Sequence, residues 1–260
     1  MEACVATENT AFASDFDGTL CWSNWETGEQ HFDPANIEAI RAYQAAGGLF
    51  GICTGRPLAS VLESLDGLLT LDFYIVVTGA QVLDRDLRKL WERTIARDLA
   101  EELFDRYASP EAVMVAVTEG QFVSVRHSMD SMLPVVSSLD EMDGGLLDVS
   151  FECRGDENAA RVICEDLNRR YGDVVTGFQN RGSVDVVPVG CSKGTGVRVV
   201  REALGVRSIA GIGDSYNDLP LLAAADVSYT FDDSPEVVQH EADVVVHTLA
   251  DAVRDFSARG

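Results

Sequence analysis

Short apolar runs rich in β-branched residues alternate with segments of helical period, and this alternation constrains the fold of the chain more than any other feature. Strands of a parallel sheet that is covered on both faces are buried throughout, so they read as nearly continuous apolar runs. The first three predicted strands are residues 11–16, 49–53 and 73–77, and each runs into small or polar residues. Open α/β sheets bind their ligands at such strand ends. The pattern predicts an α/β fold with a Rossmann-like, doubly wound parallel sheet.

Helix signals lie between these strands. Asp33 and Pro34 predict an N-cap followed by a proline at the first helical position, and the pair Gly47 and Gly48 predicts the end of that helix. A second helix is predicted at about residues 59–69. A third is predicted at about 194–204, just before a strand at 208–212. The alternation of strand and helix is therefore predicted both in the first part of the chain and again after residue 194.

The pattern changes between residues 83 and 184. Predicted strands at 113–117, 122–125 and 147–151 follow one another through glycine-containing turns, as in an antiparallel sheet, with helical segments at 95–107 and 157–171. A strand at 183–187 is predicted to resume the α/β pattern. We therefore expect a core formed by residues 1–82 and 185–260, with an inserted α+β domain at 83–184.

Charge and composition exclude several classes of function. The 260 residues are 46% apolar and 24% charged, with a net charge of −23, which repels the backbone of a nucleic acid. We expect no nucleic-acid partner. The sequence has no apolar stretch that could span a bilayer and no basic, apolar leader, so a cytoplasmic protein without a membrane partner is expected. The six cysteines form no CxxC pair, which favours reduced thiols, and the oligomeric state is left open.

The segment DFDGTL places Asp15 and Asp17 two residues apart at the end of the first predicted strand. If the strand continues, both carboxylates leave the chain on one side and repel each other unless a cation lies between them. Oxygen ligands suit a hard divalent ion, and a site with few protein ligands suits Mg²⁺ better than Ca²⁺. The alternative is an acidic turn whose aspartates cap the next helix.

A second acidic segment, GDSYND, follows the predicted strand at 208–212. Asp214 and Asp218 stand four residues apart, which is one turn if a helix begins at once. N-capping by Asp214 or Asn217 is the alternative, and it explains one polar residue rather than the whole group.

Lys193 is notable because the chain has only two lysines and eighteen arginines. Its position beside a predicted helix start favours a compact point charge over the planar fork of arginine. Thr54 and Gly55 offer a hydroxyl and a backbone amide at another strand end, where an anionic oxygen could bind. A solvated surface lysine and an ordinary turn are the respective alternatives.

Four segments occur in a fixed order: DFDGTL at 15–20, TGRP at 54–57, SKG around Lys193 and GDSYND at 213–218. Together they resemble the four motifs of the haloacid dehalogenase superfamily of phosphatases, and the long insert resembles the cap of its Cof-type branch. The loop after the third strand often reads Asn-Gly-Ala in that branch, whereas this chain has Thr78-Gly79-Ala80.

The resemblance implies a role for each matching residue. Asp15 would attack phosphorus to form an aspartyl-phosphate, and Asp17 would protonate the leaving oxygen and later accept a proton from water. The Mg²⁺ cofactor would be held by Asp15, Asp17 (through its carbonyl) and Asp214. The phosphoryl oxygens would bind to Thr54, Gly55, Lys193 and Asn217; Asp218 would orient Lys193 or a metal-bound water; and Arg56 would contact the substrate.

The resemblance implies a Mg²⁺-dependent phosphatase that acts on small phosphorylated metabolites, such as sugar phosphates or similar phosphomonoesters. Two alternatives stay open: a phosphotransferase or phosphomutase, and a non-catalytic protein that binds phosphorylated metabolites. Three arginines of the insert are candidates for binding a second anionic group, with surface ion pairs as the alternative: Arg126, Arg154 and Arg181.

Overall fold

The computed structural model describes residues 9–23, 29–129 and 133–259, most of which belong to two β-sheets and their helices. The strands are β1 (Thr10–Ser14), β2 (Trp22–Ser23), β3 (Gln30–His31), β4 (Leu49–Cys53), β5 (Phe73–Val76), β6 (Gln81–Asp84), β7 (Lys89–Glu92), β8 (Val113–Val117), β9 (Phe122–Val125), β10 (Val135–Val136), β11 (Asp148–Glu152), β12 (Val175–Asn180), β13 (Ser183–Pro188), β14 (Ser208–Ile212), β15 (Val227–Phe231) and β16 (Val244–Val246). The helices are α1 (Pro34–Ala45), α2 (Leu58–Leu65), α3 (Arg97–Tyr107), α4 (Glu157–Tyr171), α5 (Lys193–Leu204), α6 (Leu219–Ala224), α7 (Glu236–Glu241) and α8 (Leu249–Arg259).

The first sheet has the strand order β16-β15-β14-β1-β4-β5-β6-β7. Neighbours from β16 to β5 are parallel, and β6 and β7 extend the sheet by antiparallel pairing, with β7 at its edge. Helices α1, α2 and α8 pack on one face of this sheet, and α5 and α6 pack on the other. The predicted α/β class with a doubly wound parallel core is confirmed.

Aromatic packing fixes the centre of this core. The ring of Phe12 on β1 stacks on Phe50 of the adjacent β4 and on Tyr229 of β15, one strand beyond β14, with centroid distances of 5.8 and 5.9 Å. Phe256 on α8 meets the same ring edge-on at 5.9 Å. Buried aromatic pairs add to the stabilisation from area burial, so β1 is anchored just before Asp15.

Helix α1 begins as predicted. The Asp33 carboxylate accepts a hydrogen bond from the amide of Ala35 at 2.8 Å, and Pro34 occupies the first turn, where an N–H would lack a partner. The helix ends at Ala45, before Gly47 at φ +95°. Local cap chemistry sets both ends of this element.

The second sheet has the order β10-β9-β8-β11-β13-β12 and is antiparallel except for the β9–β10 pair. Helices α3 and α4 cover one of its faces, where alternate residues such as Val149, Val184 and Val186 are buried. The opposite face carries Asp148, Ser150 and Asp185. We refer to this sheet with α3 and α4 as the cap sheet, and to the first as the core sheet.

Two strand assignments differ from the sequence predictions. The strand at 183–187 was predicted to resume the core, which was wrong, since β13 pairs antiparallel with β11 and β12 in the cap sheet. Asp185 alternates with buried valines there, so one face of this strand is apolar and the other carries a polar residue, unlike a core strand that is apolar on both faces. Strands β6 and β7, in contrast, extend the core sheet beyond residue 82. The two-domain division stays a proposal. Judged by the sheet to which each strand belongs, the chain passes from core to cap after β7 and returns to the core after β13.

No helix within the described ranges is long and apolar enough to cross a bilayer. The described cysteines, at positions 21, 53, 153, 164 and 191, are unpaired, and Cys4 lies outside the described residues.

Candidate active site

Three parallel strands bring the predicted acidic and hydroxyl residues to one edge of the core sheet. Strand β1 lies between β14 and β4, so the residues that follow these three strands come together. The backbone amide of Asp15 donates to the carbonyl of Ile212 at 2.9 Å, and that of Thr54 donates to the carbonyl of Ile75 at 2.8 Å. The sheet hydrogen bonding thus continues into the loops and fixes where Asp15 and Thr54 lie.

Lys193 links the first and last motifs. Its Nζ lies 2.6 Å from Oδ1 of Asp15 and 2.5 Å from Oδ1 of Asp218, and its side chain is only 1% exposed. Burial acts to lower the pKa of Lys193, but the charges of Asp15 and Asp218 outweigh it and raise this pKa well above its usual value. A buried ammonium between two carboxylates therefore stays charged.

The start of α5 holds Lys193 in this position. Ser192 caps the helix by accepting a hydrogen bond from the amide of Thr195 at 3.0 Å. Gly79, at φ +82°, lies so close that a Cβ there would come within 2.1 Å of the Ser192 carbonyl oxygen. Only glycine allows this approach, so the loop after β5 supports the cap residue of α5.

Both carboxylate oxygens of Asp218 have partners. Oδ1 accepts from Lys193, and Oδ2 accepts from the backbone amides of Asp214 and Ser215, each at 3.1 Å. A Cβ on Gly213 would lie 2.3 Å from Cγ of Asp218, so glycine is required beside this carboxylate. Asp218 therefore organises the GDSYND turn and orients Lys193.

Asp15, Asp214 and Asp218 form an acidic cluster in which one oxygen of each lies within 4.8 Å of the others. Burial, and then the charge of Asp218, raises the pKa of Asp15 well above its usual value, with Lys193 opposing. Burial and Asp218 also raise the pKa of Asp214, to about 6. Carboxylate oxygens are ligands that a hard divalent cation prefers, and one lysine does not neutralise three acids. Because Asp218 is engaged on both oxygens, Asp15 and Asp214 are the carboxylates that fit such an ion.

Asp17 lies outside this cluster and pairs with Arg56. Nε of Arg56 donates to Oδ2 at 2.7 Å and Nη2 donates to Oδ1 at 2.5 Å, while Nη1 donates to Oγ of Ser64 at 2.9 Å. The guanidinium also lies over the ring of Phe16, 4.9 Å from its centroid. Arg56 is thus fixed on three sides, and its contact with Asp17 was not predicted.

The remaining predicted residues lie around the same cluster of loops. Thr54 is 2% exposed, and its Oγ1 accepts from the amide of Arg56 at 3.1 Å. Gly55 is exposed, and the side chains of Asp185 and Thr78 are the nearest atoms to a Cβ built there, at 3.3 and 3.5 Å. Asn217 is half-buried in the turn Tyr216–Asp218.

The cap sheet contributes Asp185, which sequence analysis missed. The signal in the sequence that could have identified it is a single carboxylate inside the apolar run SVDVV. Burial raises the pKa of Asp185 to about 6, with the charge of Lys193 opposing. Thr78 stands where the Cof-type pattern often has Asn. It is 3% exposed and has φ +51°, and its Oγ1 lies near Gly55, so the residue that differs from the pattern is part of the site.

The three candidate arginines of the insert have different surroundings. Arg126 pairs with Glu101 at 2.8 Å, and Arg154 donates to the carbonyl of Pro110 at 2.8 Å. Both are engaged within the cap. Arg181 lies at the β12–β13 turn, and its charge lowers the pKa of Asp214. It also lines a cavity of about 620 Å³ that opens beside Asp214 between core and cap.

Fold and site together define an α/β enzyme whose acidic cluster lies at the carboxyl ends of its parallel strands. Comparison with known families agrees: a family model of haloacid dehalogenase-like hydrolases matches residues 12–255. The chain belongs to the haloacid dehalogenase-like hydrolases, as its motifs predicted.

Individual relatives are distant but extend over most of the chain. A 5-amino-6-(5-phospho-D-ribitylamino)uracil phosphatase of Bacillus subtilis is 23% identical over 256 residues, 94% of this chain and 94% of that protein. An HMP-PP phosphatase of Klebsiella pneumoniae is 22% identical and covers 82% of this chain and 80% of its own length. A solved phosphatase structure from Bacteroides thetaiotaomicron superimposes with a TM-score of 0.78, at 23% identity and 96% coverage of both chains. These relatives agree with the predicted enzyme class, a phosphoric monoester hydrolase.

Proposed function

We propose that the protein is a Mg²⁺-dependent phosphatase that hydrolyses small phosphorylated metabolites through an aspartyl-phosphate on Asp15. The observation that carries the proposal is the buried Lys193, whose Nζ contacts both Asp15 and Asp218 beside Asp214. Phosphoryl transfer needs fixed positive charge around the transferred group and a nucleophile in line with the leaving oxygen. A buried ammonium beside a carboxylate at a strand end supports both requirements.

Asp15 is the proposed nucleophile because its carboxylate lies at the strand edge with Lys193 as its counterion. The ammonium holds one oxygen, Oδ1, at 2.6 Å, which leaves Oδ2 to attack phosphorus. A covalent intermediate divides one difficult substitution into two easier ones. When bound at Asp15, Asp214 and the Asp17 carbonyl, Mg²⁺ would neutralise phosphoryl charge. Hydrolysis of the intermediate then returns Asp15 to its carboxylate form.

Asp17 is the proposed general acid and base. With one of its Arg56 contacts released, Asp17 would carry a proton on the freed oxygen and give it to the leaving oxygen in the first step; it would take a proton from the attacking water in the second. Its side chain is 36% exposed, so it is accessible to a small molecule from solvent. Because Arg56 already binds both oxygens of Asp17, we assign Arg56 to positioning that carboxyl rather than to contacting the substrate.

The phosphoryl oxygens would be bound by the hydroxyl of Thr54, the amide of Gly55, the ammonium of Lys193 and the amide of Asn217. Thr54 and Gly55 follow β4, the neighbour of β1, so they lie at the same end of the core sheet as Asp15. Asp218 keeps Lys193 oriented through the 2.5 Å contact. The phosphatases from Bacillus subtilis and Klebsiella pneumoniae described above, which are named for phosphorylated small molecules, support a substrate of that class.

The test is release of inorganic phosphate from a panel of phosphomonoesters with and without Mg²⁺. Asp15→Asn should lower turnover at least about a thousandfold, since it removes the nucleophile. Asp66→Asn, at the exposed end of α2, is the matched control and should keep wild-type turnover. Full activity in the Asp15 variant, or isomerised phosphoester without free phosphate, would contradict the proposal.

A further inference from the structure

The cavity beside Asp214 is lined on one side by two exposed aromatic side chains. It holds about 620 Å³, within the range of small-molecule sites, and its core side includes Trp22 on β2 and Tyr216 in the GDSYND turn. These side chains are 41% and 55% exposed, and the only other aromatic of comparable exposure within the described ranges is Phe122. Folding does not require two large aromatics to remain open to solvent, so their grouping at one cavity points to a ligand.

The cap side of the cavity is polar and prearranged. Nε2 of Gln179 donates to the carbonyls of Glu157 and Arg181 at 2.9 and 3.1 Å, which fixes the amide group. Its Oε1 has no partner among the residues that the structure describes and is left as an acceptor. The Arg181 guanidinium likewise has no hydrogen bond or ion pair within those residues, and it is planar and able to stack on a ring.

The charges around the cavity oppose a second anionic group. Arg181 is the one cation on its wall within the described part of the chain, whereas Glu157, Asp214 and Asp233 are acidic. With Asp214 assigned to Mg²⁺, Arg181 still faces two carboxylates. A second phosphate would therefore gain little, and a neutral leaving group fits better.

We infer that this cavity binds the leaving group of the substrate and selects a planar, neutral heterocycle that carries hydrogen-bonding groups. The inference rests on the proposed phosphatase function and names its substrate class. Trp22 and Tyr216 supply ring faces, Arg181 supplies a planar cation, and Gln179 supplies an acceptor for a ring N–H. Ring stacking of this kind tolerates different heterocycles, since each has a π-face.

Matched substrate pairs isolate the ring. Uridine 5′-monophosphate is compared with ribose 5-phosphate, and flavin mononucleotide with ribitol 5-phosphate, because in each pair a hydroxyl replaces the heterocycle on the same phosphorylated chain. We expect kcat/KM to be about tenfold higher for the member that carries the ring, through KM. Glucose 6-phosphate is added because a pyranose can also lie on an aromatic face. Equal rates within both pairs, or a preference for glucose 6-phosphate, overturns the inference.

Variants then locate the effect. Trp22→Leu and Tyr216→Leu should each lower the preference for the ring-bearing member about tenfold, and Trp22→Phe should keep most of it. Phe122→Leu removes an equally exposed aromatic from β9, which lies outside the cavity, and should leave the preference unchanged. A preference that survives both leucine variants overturns the assignment of these two rings.

Binding of riboflavin, which has no phosphate, separates this inference from the proposed function. We expect quenching of riboflavin fluorescence by the wild-type protein and by Asp15→Asn, with about tenfold weaker binding by Trp22→Leu. Riboflavin binding without phosphate release from any substrate supports the cavity and refutes the phosphatase. Phosphate release without ring preference or riboflavin binding refutes the cavity assignment alone.

Discussion

Arg56 holds both carboxylate oxygens of Asp17, with contacts of 2.7 Å from Nε and 2.5 Å from Nη2. This fork geometry is specific to arginine, because a lysine ammonium cannot donate to both oxygens in one plane. If Asp17 is the general acid, Arg56 sets the direction from which the proton is delivered.

Arg56→Lys should therefore lower kcat for alkyl phosphates about tenfold, a part of what general acid catalysis provides. The reduction should be much smaller for p-nitrophenyl phosphate, whose leaving group needs little protonation. Arg41→Lys, at an exposed arginine on α1, serves as the control. A uniform increase in KM for all substrates would show instead that Arg56 contacts the substrate.

Lys193→Met should destabilise the protein by about 3–5 kcal/mol, because it leaves buried carboxylates without their counterion. Urea unfolding without divalent ions measures this loss, and added Mg²⁺ should recover part of it by supplying positive charge. The other lysine of the chain provides the control: Lys89 is exposed and pairs with Glu119 at 2.8 Å, so Lys89→Met should cost less than about 1 kcal/mol. Similar losses in the two variants would argue against a structural role for the buried ion pair.

Gly18→Ala should weaken Mg²⁺ binding about tenfold, because a Cβ there would lie 2.9 Å from Oδ2 of Asp214 and push that carboxylate away. Gly67→Ala is the matched control: both glycines have positive φ, +81° and +75°, but a Cβ at Gly67 meets nothing within 4 Å. The control should lose only about 1 kcal/mol of stability from backbone strain. The measurement is the Mg²⁺ concentration that gives half-maximal phosphate release, and equal values for the two variants would contradict the prediction.

The pH dependence of stability should report on Asp185. Burial raises its folded-state pKa to about 6, so ionisation is less favourable in the folded protein than in the unfolded chain. Stability associated with this group is present below the unfolded pKa of about 3.9 and is lost as pH rises through about 6. Asp185→Asn should thus be more stable than wild type by up to about 3 kcal/mol at pH 8 and by much less at pH 4.

Thermal unfolding in EDTA across this pH range tests the prediction without interference from divalent ions. Asp105→Asn, at an exposed carboxylate on α3, is the control and should follow wild type at every pH. A difference between Asp185→Asn and wild type that stays constant from pH 4 to pH 8 would rule out titration of Asp185 as its cause.

Local signals predicted much of the fold. Strands β4, β8, β9 and β14 and helix α4 have the predicted bounds, because apolar runs and cap residues act over a few positions. Strand β13 was assigned to the wrong sheet. Its run of valines is compatible with either sheet, and only pairing with β11 and β12, distant in sequence, decides between them.

The candidate site was predictable to the extent that strand ends determine it. Asp15, Thr54 and Asp214 follow neighbouring parallel strands, so their proximity follows from the topology. The contact of Asp17 with Arg56, the position of Asp185 and the cavity wall of Trp22 and Tyr216 depend on side-chain packing between separate loops and the cap. Residue type and spacing carry little information about such packing.

The short path from β13 to Lys193 has a consequence for engineering. The last cap strand ends at Pro188, and the buried lysine follows after only four intervening residues, two of which are Ser192, the helix cap, and Gly190 at φ +84°. In a chimaera that receives its cap from another enzyme, a change in the residues that follow β13 would also change the position of the Lys193 ammonium beside Asp15. Its splice point should therefore fall within β13 or earlier, so that residues 189–193 are inherited intact from the parent that donates the core.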